Sequence, residues 1–283
     1  MFRKKTVIFY LLPGLLGLLA FYLVPFAWGI WFSLTDGSIN NRFVGFDNYL
    51  RVWQNEVFQL GLKNTIELSL LCAPPIFALS FWLAGLLRKR VAGDTFFRNA
   101  LLMPYLMPSS AMLIIWLILF DYGGVVNRLV VALGFERVFW LEGSALRAPI
   151  VLLYIWKNLG FSVVIFTAAL QSVPESLYEY AALEGAGWLK REWFITLPQI
   201  LPTAFLVLVL AVVNAFKIFR EVYFIGGSYP DESIYTLQHY MNNKFARLDY
   251  QDVTTAAYSF AVIVIVLFLL MYRTKSVRQG NEA

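Results

Sequence analysis

Between Lys5 and Asp36 the chain runs for 30 residues without a charged side chain. A helix needs about 20 apolar residues to cross a hydrocarbon core about 30 Å thick, so this run spans a bilayer with slack for tilt. Further runs repeat the pattern, with 20 uncharged residues between Glu67 and Arg88 and 24 from Trp193 to Phe216. Backbone in lipid has no water to satisfy its polar groups, and runs this long suit helices that bond internally. The spacing predicts an all-α integral membrane protein with six transmembrane helices, at about 7–32, 65–87, 99–120, 148–170, 201–224 and 253–272. Residues 1–283 form one transmembrane domain on this reading.

Composition agrees, since only 14% of residues are charged and 59% are apolar, against about a quarter charged in soluble domains. The net charge of +5 does not point to nucleic acid, because Lys and Arg sit in short clusters beside apolar runs. Arg3-Lys4-Lys5 resembles the start of a signal peptide. The apolar run behind it is too long, with no small-residue cleavage site, so it reads as an anchor. Pro13 and Pro25 predict kinks in the first span, and Pro74-Pro75 predict a local break in the second.

With six spans, residues 1–6, 88–98, 171–200 and 273–283 share one side and carry 12 Lys and Arg in 58 residues. The other side carries 8 in 88 residues. The denser side is cytoplasmic by the positive-inside rule, which places both termini and the loop 171–200 inside.

Nothing in the chain supplies catalysis. There is no G-x-x-x-x-G-K-[ST] phosphate loop, and Gly226-Gly227-Ser228 lacks its lysine. There is no G-x-S-x-G elbow and no H-E-x-x-H. Cys72 lies alone inside an apolar run, and His239 stands in a polar loop with no ligand cluster, so it reads as a solvated residue. No catalytic residue, bound metal or cofactor is expected.

The loop 171–200 is the long polar segment that the topology leaves inside the cell. From Ser172 to Glu184 it carries helix formers, with Pro174 near the start and Gly185-Ala186-Gly187 as the stop. A short amphipathic piece from Trp188 to Phe194 leads to Leu197-Pro198, and Pro198 and Pro202 mark the start of the next apolar segment. The polar residues inside spans are the other informative set, because an ionised side chain in lipid is costly and faces a cavity or a partner. Lys157, Lys217 and Arg220 are the basic ones. Asn214, Lys217 and Glu221 fall at i, i+3 and i+7, one stripe of a helix. Trp156, Lys157, Asn158 and Gly160 lie at a comparable level in span four. These predict a polar groove between spans four and five for a hydroxyl-rich solute. The plainer alternative is snorkelling lysines with a Lys217–Glu221 pair.

Glu179, Ala181 and Gly185, then nine residues, then Ile195, Leu197 and Pro198, resemble the EAA loop of permease subunits of bacterial ABC importers. Tyr180 departs from that pattern, which usually has Ala there. Phe43 to Tyr49, Arg98 through Trp116, and Phe216-Lys217-Ile218-Phe219 with Pro230 resemble segments of carbohydrate-uptake permeases of the maltose-permease type. The resemblance covers nearly the whole chain and implies a type I ABC importer permease fold. It implies a multi-pass subunit of the bacterial inner membrane that carries a sugar, oligosaccharide or polyol. Its implied partners are a second homologous permease, two ATP-binding cassette ATPase subunits and an extracytoplasmic solute-binding protein. ATP and Mg²⁺ would be bound by the ATPase partner, which docks on Glu179, Ala181, Gly185, Ile195, Leu197 and Pro198. The alternative is an ion-driven secondary transporter, which calls for a buried acid at mid-membrane. The only acids within the predicted spans, Glu67 and Glu221, lie at outer ends.

Overall fold

The computed structural model describes residues 4–88 and 93–280. Residues 1–3, 89–92 and 281–283, which include parts of the basic clusters counted above, lie outside the described residues. Among the described residues, six helical stretches are long and apolar enough to cross a membrane. They are Phe9–Ser33, Glu56–Leu86, Ser109–Ala132, Gly143–Gln171, Leu201–Gly226 and Tyr250–Leu270. The chain packs as two units, residues up to 61 together with those from 237 onward, and residues 62–236.

In the first unit, α1 (Lys4–Leu18) passes into α2 (Val24–Ser33) through a π-helical turn, Leu19–Leu23. Pro25 sits in the first turn of α2. The wider turn before it absorbs the lost N–H, so the distortion expected at Pro25 takes this form. Helix α3 (Asp47–Trp53) and the start of α4 (Glu56–Leu86) come next, and α14 (Leu237–Ala246) and α15 (Tyr250–Gly280) complete the unit. Asp252 on α15 accepts from Arg51 at 2.6 Å and from Lys244 at 2.6 Å. Trp53 donates to Ser259 at 3.1 Å and the Tyr258 hydroxyl donates to the Phe26 carbonyl.

The segment read as a polar loop around His239 is therefore a helix. Its inner face buries Leu237, Tyr240 and Asn243, and His239 beside them is fully buried, not solvated. Helical spacing turns one side of a polar sequence inward, and burial of the imidazole pushes its pKa down from 6.5 to about 4.

In the second unit, α4 runs through Pro74 and Pro75 without interruption, contrary to the break expected there. Cys72, Ala73 and Ile76 around the prolines are buried in the core, and this packing holds the helix where its own hydrogen bonds are lost. The third apolar stretch is divided. Helix α5 (Asp94–Leu106) ends where Met107 and Pro108 turn extended, and α6 (Ser109–Phe120) starts afresh. Residues 121–124 then form a tight turn before α7 (Val125–Ala132). A Cβ on Gly124 would lie 2.5 Å from the Leu119 carbonyl, so only glycine fits there.

Helices α5 and α6 run antiparallel along α8 (Arg147–Gln171). Leu101 meets Gly160, the Tyr105 ring stacks on Phe161 with centroids 4.8 Å apart, and Trp116 donates to the Pro149 carbonyl at 2.9 Å. A Cβ on Gly160 would overlap the Leu101 carbonyl, so α5 and α8 touch backbone to backbone. On the other side of α8, Phe166 takes the edges of Phe77 and Phe81 from α4, with centroids 5.4 and 5.6 Å away. Then come α9 (Glu175–Leu183), α10 (Trp188–Arg191), a π-helical turn Glu192–Thr196, and α11 (Leu197–Gln199). The unit ends with α12 (Leu201–Ala215), a 3₁₀ turn Phe216–Ile218, and α13 (Phe219–Gly226).

Candidate functional site

Two places hold the residues that the sequence singles out. The first is α9 together with the turn at its end and α11. Pro174 caps the helix in an extended conformation and Glu175 opens it. At its end the Ala186 N–H donates to Ala181 O at 2.9 Å and the Gly185 N–H to Ala182 O at 3.1 Å. With Gly185 at φ +73°, this is a Schellman stop, and it needs a residue free to adopt the left-handed region. Only Leu177 and Tyr178 of α9 join the apolar cluster built on Phe166, Leu170 and Ile200. Tyr180 and Leu183 stand 70% and 85% exposed on the helix, so a large apolar surface is presented there without cover from the described residues. Of the six loop residues named from the sequence, Glu179, Gly185 and Pro198 are exposed, while Ala181, Ile195 and Leu197 are half-buried. Pro198 and Pro202 occupy the first turns of α11 and α12, where a missing N–H costs nothing.

The second place is the wall shared by α4, α8 and α12. A narrow recess with room for only about 10 Å³ is lined there by Ile76, Tyr154, Asn158, Ser162, Val207 and Asn214, among others. Its polar groups are neutral. Asn158 donates to the Tyr154 carbonyl at 2.8 Å, while the buried Tyr154 hydroxyl has no hydrogen-bond partner among the described residues.

The structure separates the seven residues proposed for a groove. Asn158 and Asn214 line the recess. Lys157 and Glu221 form a buried ion pair at 2.7 Å, and the lysine also donates to Ser109 Oγ at 2.7 Å. Trp156 stacks on Trp116 with centroids 5.6 Å apart. Gly160 is spent on the close approach of α5. Lys217 is exposed and donates to Asn214 Oδ1 at 3.0 Å. Glu221 thus has Lys157 as its partner, 64 residues away, in place of the neighbouring Lys217. The cause is the 3₁₀ turn Phe216–Ile218, which winds three residues per turn and shifts everything after it off the stripe that an α-helix would continue.

Tyr154 and Ser162 were not picked out from the sequence. With Asn158 they fall at i, i+4 and i+8 of α8, the spacing of a helical face, so the signal was present. Ser109 carried no such signal, because its role depends on the break at Pro108.

The family described as binding-protein-dependent transport system inner membrane component matches residues 76–275. The diacetylchitobiose uptake system permease protein NgcF of Streptomyces coelicolor is 30% identical, over 93% of this chain and 80% of the relative. The sulfoquinovosyl glycerol transport system permease protein SmoG of Agrobacterium fabrum is 31% identical, over 86% of this chain and 80% of the relative. The sn-glycerol-3-phosphate transport system permease protein UgpA of Yersinia pestis is 29% identical, over 93% and 91%. In fold, a crystal structure of a bacterial ABC transporter involved in the import of the acidic polysaccharide alginate superposes with a TM-score of 0.81 at 24% identity. That match covers 96% of this chain and 95% of the other.

Proposed function

The chain belongs to the family of binding-protein-dependent transport system inner membrane components, and from that membership we propose how this permease subunit of an ABC importer divides its work. Its solute is an uncharged saccharide or polyol. Its energy comes from a separate ATPase subunit that docks on α9, and ATP and Mg²⁺ are bound there and not in this chain. A second, similar permease closes the path, and a solute-binding protein delivers to the outer face. Both termini and α9 lie in the cytoplasm, as the distribution of Lys and Arg favours.

The observation that carries the solute class is the neutrality of the recess. Its polar groups are Tyr154, Asn158, Ser162 and Asn214, a set that gives and takes hydrogen bonds as sugar hydroxyls require. Of the two nearby cations, Lys157 is occupied by Glu221 at 2.7 Å, and Lys217, which donates to Asn214 Oδ1 at 3.0 Å, stands exposed outside the lining. Named relatives serve both kinds of solute, diacetylchitobiose on one side and sn-glycerol-3-phosphate on the other. An anion gains from charge-assisted hydrogen bonds about twice as strong as neutral ones, and a lysine already held by a carboxylate cannot supply them. In the recess as it stands there is no room for a saccharide, so the path opens only when the helices move. Motor closure would draw the paired loops together and part α8 from α12.

Uptake by the assembled transporter tests this reading. Asn214→Leu is expected to impair uptake strongly by placing an apolar group in the wall. Lys217→Gln, at an exposed position, is expected to reduce it only modestly. Abolition by Lys217→Gln with normal uptake by Asn214→Leu would replace the neutral solute with an anionic one.

A further inference from the structure

We propose that Tyr178 is the joint through which movement of α9 reaches the walls of the recess. The proposal rests on the reading of α9 as the docking helix for the ATPase. Most of α9 faces outward, and its inner side is anchored by Leu177 and Tyr178. Apolar packing of that kind is non-directional, and a short helix seated by it alone can slide or roll. Directional contacts fix its setting, and Tyr178 makes two of them.

The first is across the ring. The Arg88 guanidinium carbon lies 3.7 Å from the centroid of Tyr178, a close cation–π contact. Arg88 is two residues beyond Leu86, the last residue of α4, so this contact ties α9 to the end of α4. The second is through the hydroxyl, which shares a hydrogen bond of 2.7 Å with Thr196 Oγ1. Thr196 is fully buried and closes the π-helical turn Glu192–Thr196. Its hydroxyl also reaches the Arg191 carbonyl at 3.4 Å, and the chain enters α11 and then α12 immediately after it.

The ends reached by these two contacts matter because of what the helices carry further along. Helix α4 contributes Ile76 to the recess and α12 contributes Val207 and Asn214. A push on α9 is thus shared between two of the recess walls by one side chain. Only tyrosine does both. Phenylalanine keeps the ring for Arg88 and loses Thr196, and an aliphatic residue loses both. Tyr178 touches no solute on this account and is a positioning residue.

The test reads motion at the recess, so it needs no identified solute. In the complete transporter, with Cys72→Ala and a single reporter cysteine from Asn158→Cys, the rate of modification by a membrane-impermeant maleimide is measured with and without ATP and orthovanadate, alongside ATP hydrolysis. Tyr178→Leu is expected to shrink the nucleotide-driven change in rate roughly tenfold, while Tyr178→Phe and Thr196→Val each shrink it about threefold. Combining Tyr178→Phe with Thr196→Val adds nothing to either alone, because both break one hydrogen bond. A role in folding alone would lower the yield of complex and leave the change per complex intact. A Tyr178→Leu complex whose response stays within about twofold of the parent, where Gly185→Trp abolishes the response, overturns the joint. Loss of effect in Gly185→Trp as well overturns the docking reading instead. Should Tyr178→Leu not assemble, Tyr178→Phe and Thr196→Val decide, and a full response in both refutes the proposal.

Discussion

Breaking the Lys157–Glu221 pair gives the sharpest measure of how the second unit is held. The pair joins α8 to α13 at 2.7 Å, and Ser109 brings in the start of α6 at the same distance from the lysine. The lysine side chain is 13% exposed and the carboxylate 5%, so neither charge finds water when its partner goes. Removing one member of such a pair costs about 3–5 kcal/mol, because an uncompensated charge stays buried, whereas replacing both with apolar residues of similar volume is close to neutral. Glu221→Leu and Lys157→Met are each expected to lose about 3–5 kcal/mol, and Lys157→Met with Glu221→Leu to lose less than about 1 kcal/mol. The assay is reversible unfolding of the purified chain in mixed micelles, monitored through tryptophan fluorescence, with the parent and the three variants closing a thermodynamic cycle. Singles that each lose under about 1 kcal/mol, or a double variant as costly as the sum of the singles, would refute the reasoning.

Other parts of the chain are open to equally direct measurement. A reporter active only in the cytoplasm is expected to work when fused after Lys190 and to fail after Asn127, and activity at Asn127 would invert the orientation. For His239 the folded state favours the neutral ring, its pKa near 4 lying below the ordinary 6.5, so its contribution is complete above about pH 6.5 and is lost as pH falls toward 4. Between pH 7 and 5 this amounts to about 2 kcal/mol, seen as a fall in thermal stability that His239→Gln does not share. Gly160→Ala is expected to push α5 off α8, costing about 3 kcal/mol or more, and a normal unfolding midpoint in that variant would show that the helices yield there.

Five of the spans and the loop after span four were legible because lipid and helix ends impose local rules. The third span, expected at 99–120, is broken at Met107 and Pro108, and the long apolar stretch there is Ser109–Ala132. Uncharged runs fix where helices cross, and the Pro174 and Gly185 punctuation predicts α9, which the structure places at Glu175–Leu183. What sequence does not carry is distance across the fold. Lys217 and Glu221 sit close in the chain and invite pairing, yet the carboxylate goes to Lys157, which no local pattern connects to it. The 3₁₀ turn at Phe216–Ile218 has no punctuation to announce it, and the stripe drawn through Asn214, Lys217 and Glu221 fails there. His239 shows the same limit, since a polar segment reads as loop until a neighbouring helix gives it an inside. Continuity of α4 through Pro74 and Pro75 likewise comes from packing that no single segment contains.

Backbone contact at Gly160 has a thermal consequence. Lipid tails are as apolar as leucine, so helices within them gain little from leaving it, and adhesion comes from dispersion forces between closely fitted surfaces. Pressing the Leu101 carbonyl against a bare Cα supplies such a fit, with a C–H···O attraction of the kind seen at helix crossings. Attraction of this origin does not fade on cooling as water-driven burial does. The seam between α5 and α8 therefore keeps its strength in the cold, while packing beneath the amphipathic α14 slackens first.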